Sequence, residues 1–121
     1  MNKKTVVLGA SPDPGRYSNK AVLRLQSAGH EVIALGKEAG KIGEVNIQTY
    51  YPENIKELDT VSLYLNPLRQ KGYYDYIIGL HPKRIIFNPG TENKELQVLA
   101  ERNGISTEEA CTLVLLGIGN Y

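Results

Sequence analysis

Cysteine is nearly missing from this chain: among its 121 residues the only thiol is Cys111. That excludes an internal disulfide and a zinc site built from cysteines alone, and it fits a reducing cytoplasm. An excess of charge of one sign is missing too. Fourteen Lys and Arg stand against thirteen Asp and Glu, a formal net charge of +1, and they are scattered. A basic face for a nucleic-acid backbone is therefore not expected, and any anion site must be local. No apolar run reaches membrane-spanning length, and the apolar stretch after the basic start MNKK is too brief for a secretory signal. No membrane partner is expected. Without repeats, linkers or low-complexity tracts, residues 1–121 read as one domain, long enough to bury roughly two thirds of its unfolded surface.

What is present is an alternation. The runs TVVLGA, EVIAL, TVSLYL and RIIFN are strand-like and are separated by stretches with helical spacing, which predicts an α/β fold with a mostly parallel sheet of five or six strands. Ser18 is a plausible N-cap for a first helix whose face is Ala21, Val22, Leu25 and Ala28, stopped at Gly29. Residues 36–49 read as a loop and then a short strand near 45–49, and 52–58 as a short helix at most. Asn66-Pro67 supplies a cap and first-turn pair for a helix running to about Leu80, weakened by Gly72. After the strand 84–88, Pro89 to Asn93 turns into a helix with Leu96, Leu99 and Ala100 inward. The tail from Cys111 to Leu116 is read as a short buried helix, with a strand as the alternative.

The segment TVVLGASPDPGRYSNK carries the main functional signal. An apolar strand breaks at Gly9 into a loop ahead of a helix, where glycine lets backbone approach a ligand and the helix start offers free N–H groups and a positive dipole end to an anion. In a doubly wound sheet this loop, Gly36-Lys37, Asn66-Pro67 and Asn88-Pro89-Gly90 all fall on the carboxyl edge. The loop is not a Walker phosphate loop, because Arg16 stands where lysine and a hydroxyl residue hold phosphate and magnesium. Nor is it the dinucleotide fingerprint, because positions 9, 11 and 14 are Gly, Ser and Pro. NAD sites keep a carboxylate after the second strand to accept from the ribose; here Lys37 can instead neutralise a ribose phosphate. NADP or coenzyme A fits that chemistry, with Glu38 the nearest carboxylate for NAD.

With VVLGASPDPGRYSNKA, LYLNP, PKRIIFNPGTEN and EACTLVLL spread over nearly its full length, the chain resembles the small single-domain coenzyme A-binding proteins. Their Rossmann-like three-layer fold is also similar to the N-terminal domain of the succinyl-CoA synthetase alpha subunit. The resemblance implies that Ala10, Ser11, Arg16, Tyr17, Ser18 and Lys20 surround the phosphates behind Gly9. It implies that Gly36 and Lys37 meet the adenosine end, and that Asn66, Pro67, Asn88, Pro89 and Gly90 line the middle. Many relatives place Asn-Pro after the second strand where this chain has Leu35-Gly36.

Each of these residues also has a plain structural use. Arg16 and Lys20 could be solvated charges, Asn66 and Asn88 caps before proline, and Tyr17 either a stacking partner for adenine or a cover for the loop. Cys111 reads as a buried apolar residue more than as a reactive thiol. His30 and His81 lie at the edge of the sheet opposite the loops. No Ser-His-acid set, carboxylate pair or metal-ligand spacing stands out. The expectation is a module that binds coenzyme A or an acyl-CoA without catalytic machinery of its own. The alternative is an NADP- or acyl-CoA-using enzyme or subunit completed by a partner chain; a protein partner or homo-oligomer is left open. A nucleotide-sensing regulator that binds DNA is disfavoured, since no recognition helix is visible.

Overall fold

The computed structural model describes residues 2–121. Seven short strands form one sheet: β1 (Thr5–Leu8), β2 (Val32–Leu35), β3 (Gly40–Ile42), β4 (Val45–Gln48), β5 (Thr60–Leu63), β6 (Arg84–Phe87) and β7 (Ser106–Glu109), in the order β3-β4-β2-β1-β5-β6-β7. Every pairing is parallel except the β3–β4 hairpin. The fold is the expected Rossmann-like α/β sandwich, with seven strands rather than five or six. The two unforeseen strands are the edges. β3 hides in the glycine-rich stretch 40–43, and β7 is the polar sequence STEE, whose charged side chains keep an outer strand from pairing further.

The central strands β1, β5 and β6 are buried on both faces, which is why they read as continuous apolar runs. Alternate residues feed two cores. Val7, Ala34 and Ile86 meet Val22 and Leu25 of α1 (Tyr17–Ser27) and the half-buried Leu115 and Leu116. Leu8, Val61 and Phe87 meet Ile77, Leu96 and Ala100 on the other face.

Local chemistry moves several boundaries. Helix α1 begins two residues earlier than expected: Arg16, not Ser18, is the N-cap, with no side-chain cap bond, and Ser18 is buried inside the first turn. The start is set instead by a turn in which Arg16 N–H donates to Asp13 O at 3.1 Å. The helix expected from Pro67 to Leu80 is broken into α2 (Pro67–Gln70), a 3₁₀ turn (Lys71–Tyr73) and α3 (Tyr74–Gly79), with Gly72 inside the break. Residues 52–58 hold no helix. The tail does form a helix, α5 (Thr112–Gly117), but it is not fully buried, Val114 being 55% exposed. Helix α4 (Lys94–Arg102) starts as expected, with Asn93 accepting from the N–H groups of Glu95 and Leu96.

At the amino edge of the sheet, Tyr121 closes the fold. Its hydroxyl pairs with Thr5 Oγ1, its ring sits 5.0 Å from that of His30, and the Arg84 guanidinium lies 4.5 Å from its centre.

Candidate functional site

The strand order reverses at β1, whose neighbours β2 and β5 lead the chain to opposite sides of the sheet. Loops leaving β1 and β5 therefore diverge and open a crevice at the carboxyl edge. A cleft of about 720 Å³ lies there. It brings together five separate stretches of chain.

The loop after β1 supplies Gly9, Ala10, Ser11, Pro12 and Arg16. Gly9 has φ +99°, a region natural only to glycine. The N–H groups of Gly9 and Ala10 both donate to Leu35 O at 2.9 Å. Downstream, Asp13 Oδ1 accepts from Gly15 N–H at 2.9 Å, and the buried Asn19 donates to Ser11 O at 2.9 Å, tying the loop to the helix behind it. Asn19 and Lys20 N–H donate to Arg16 O, which leaves the N–H groups of Tyr17 and Ser18 without a partner within the helix. Arg16 lies 4.0 Å from Asp13, but both are well exposed, so this ion pair holds Arg16 only weakly.

The loop after β2 supplies Gly36, Lys37 and Glu38. Beyond β5 come Tyr64, Leu65, Asn66, Arg69 and Tyr73, and beyond β6 Pro89, Gly90 and Thr91. Tyr51, in the segment after β4, completes the wall. Arg16, Lys37 and Arg69 thus give the cleft three cations against the single carboxylate of Glu38.

The loops are braced from beneath. Gln70, fully buried, donates to Leu65 O at 2.7 Å and to Thr91 O at 2.8 Å, while its own oxygen accepts from Asn93 at 2.8 Å. Asn66 caps α2 by accepting from Arg69 N–H at 2.9 Å. Asn88 is 1% exposed; it donates to Ser62 Oγ and Leu63 O, each at 3.0 Å, and accepts from Thr112 N–H at 2.8 Å. It is a strut whose polar atoms are all engaged.

Of the residues expected at the site, the cleft gathers Gly9, Ala10, Ser11, Arg16, Gly36, Lys37, Asn66, Pro89 and Gly90. Tyr17, Ser18, Lys20, Pro67 and Asn88 are not on its wall. Tyr17 is 70% exposed and pairs with Lys20, whose Nζ sits 5.5 Å from its ring centre. Cys111 is half-buried at the start of α5 and does not reach the cleft. Sequence reasoning missed Tyr51, Tyr64, Arg69 and Tyr73. Three of these sit in or beside irregular segments, where no periodicity marks a face; the cluster Tyr73-Tyr74-Asp75-Tyr76 was the available signal. Burial pushes the Tyr64 hydroxyl up to about 12, against the opposing pull of the nearby Ser62 and Thr112 hydroxyls. Among the described residues no group of His, Cys, Asp and Glu could hold a metal, and no helix is long and apolar enough to cross a membrane.

The profile of a protein family described as a CoA binding domain matches residues 3–117. A solved crystal structure of an uncharacterized protein is 46% identical and superposes with a TM-score of 0.96, covering 100% of this chain and 99% of its own. A hypothetical protein from Pyrococcus horikoshii OT3 is 22% identical with a TM-score of 0.82, over 93% of this chain and 80% of its own. A protein from Thermus thermophilus is 18% identical with a TM-score of 0.84, over 98% and 91%. At such identities the last two show a shared fold alone. A search of curated proteins finds no match.

Proposed function

The chain belongs to the CoA-binding domain family, and from that premise we propose that its carboxyl-edge cleft binds coenzyme A or an acyl-CoA, the whole of 1–121 acting as one binding domain. The observation that carries this reading is the juxtaposition of a glycine-turned loop, a helix start and the cations Arg16, Lys37 and Arg69 around one cleft. The loop from Gly9 to Arg16 holds the pyrophosphate. Lys37, where NAD sites keep a carboxylate, pairs with the ribose phosphate. The arm of the coenzyme runs past Asn66 towards Pro89, Gly90 and Thr91. The protein binds without a nucleophile and base of its own at this wall.

NADP offers a ribose phosphate to the same lysine and is the second reading. Thermal melts with coenzyme A, NADP and NAD separate them. At free ligand about a hundredfold above its dissociation constant, binding adds roughly 2.7 kcal/mol, a shift of several degrees. Coenzyme A should give that shift and NAD should not; a shift with NAD alone overturns the assignment.

A further inference from the structure

We propose that Tyr51 and Tyr73 form the stacking wall for the planar base of the ligand, with Tyr51 the residue that selects for a base. This rests on the reading that the cleft takes a base-bearing phosphate ligand. The two rings are 5.6 Å apart, tilted by 32°, and both line the cleft. Tyr51 follows β4, the neighbour of β2, and its ring packs against Tyr73 and Tyr76 of the segment after β5, so the wall joins those two stretches of chain. A third ring fixes it: Tyr76 lies 5.6 Å from Tyr51 and donates its hydroxyl to Pro52 O at 2.6 Å, anchoring the segment that carries Tyr51. The wall is thus held before any ligand arrives, so little ordering is needed on binding.

Its electrostatics suit an anionic ligand. Burial, with the Tyr73 hydroxyl close by, pushes Tyr51 up to about 12, so the ring stays neutral beside phosphates. An aromatic face next to cations takes a flat base joined to phosphate, whereas the alternative ring, Tyr17, lies outside the cleft and is covered on one side by Lys20.

The test measures binding of coenzyme A, adenosine 3′,5′-bisphosphate, 4′-phosphopantetheine, ATP and NADP to wild type, Tyr51→Leu and Tyr51→Phe by calorimetric titration. Stacking of one base on one ring predicts a loss of about 5- to 150-fold for the base-bearing ligands in Tyr51→Leu, with recovery in Tyr51→Phe and unchanged affinity for 4′-phosphopantetheine. Unchanged binding of adenosine 3′,5′-bisphosphate, or an equal loss for 4′-phosphopantetheine, overturns the wall while leaving coenzyme A in place. Wild type that takes ATP or NADP through Tyr51 but ignores coenzyme A overturns the ligand and keeps the wall. Wild type that binds none of the five overturns both.

Discussion

Gly36 faces the carbonyl oxygen of Ala10 so closely that a Cβ at Gly36 would stand 2.2 Å from it. Neither segment can retreat. Gly36 N–H is held by Gln48 O at 3.1 Å, and Ala10 N–H by Leu35 O at 2.9 Å. The loops after β1 and β2 are therefore in backbone contact at the floor of the cleft.

Gly36→Ala should cost about 1–3 kcal/mol or more in stability, the usual range for overpacking, and should weaken coenzyme A binding by displacing the first loop. Gly79→Ala is the control. Nothing lies within 4 Å of a Cβ at Gly79, at the end of α3, and there alanine should stabilise by up to about 1 kcal/mol. Urea unfolding of both variants measures the contrast; equal effects would show that the close approach does not constrain the loops.

Asn88→Ala strands the buried Thr112 N–H and Leu63 O, at about 1–3 kcal/mol for each unsatisfied group. A melting point lower by about 10 °C is expected, with coenzyme A affinity changed no more than about threefold at a temperature where the variant is folded. A large loss of affinity in a variant of normal stability would return Asn88 to the ligand.

The cations are separable by salt and by ligand. Arg16→Ala and Arg69→Ala should each weaken coenzyme A roughly five- to tenfold and flatten the salt dependence, whereas Lys20→Ala should do little. Lys37→Ala should weaken coenzyme A more than dephospho-coenzyme A, which lacks the ribose phosphate. Equal losses for the two ligands would move that phosphate away from Lys37.

Stability should fall in mild acid. Burial, the largest cause, together with nearby positive charge that includes Lys3 and Arg84, lowers the pKa of His30 below its ordinary 6.5. Its Nδ1 accepts the Lys3 N–H at 2.9 Å, a bond only the neutral ring can receive. The unfolded chain takes up the proton first, so stability drops as pH falls from 6.5 to the folded value and levels off below it. Denaturant midpoints from pH 7.5 to 5 should show the slope in wild type and a shallower one in His30→Gln. An identical slope in both would assign the acid effect to other groups.

What the sequence made legible follows from where burial is two-sided. Val6, Val7 and Leu8 announce a central strand because both faces of it are covered, and Gly9 marks where it stops. Edge strands send no such signal: Ser106 to Glu109 is a polar run, and only the pairing with β6 makes it a strand. The early start of α1 is set by the turn from Asp13 to Arg16, which periodicity does not register, whereas the break at Lys71 to Tyr73 falls at Gly72, the residue that weakens the helix in the sequence. Arg69 and Gln70 fall in one short helix, one at the cleft and one wholly buried, and nothing in their spacing distinguishes the two fates.

Gln70 has a mechanical meaning as well. Because one amide group holds both Leu65 O and Thr91 O, the loops after β5 and β6 are coupled through a single side chain. The cleft then behaves as a vice with two jaws: the joined loops on one side, the Gly9–Arg16 turn pinned by Asn19 on the other. A ligand that spans both jaws would tie them to each other, as Gln70 already ties the two loops of one jaw.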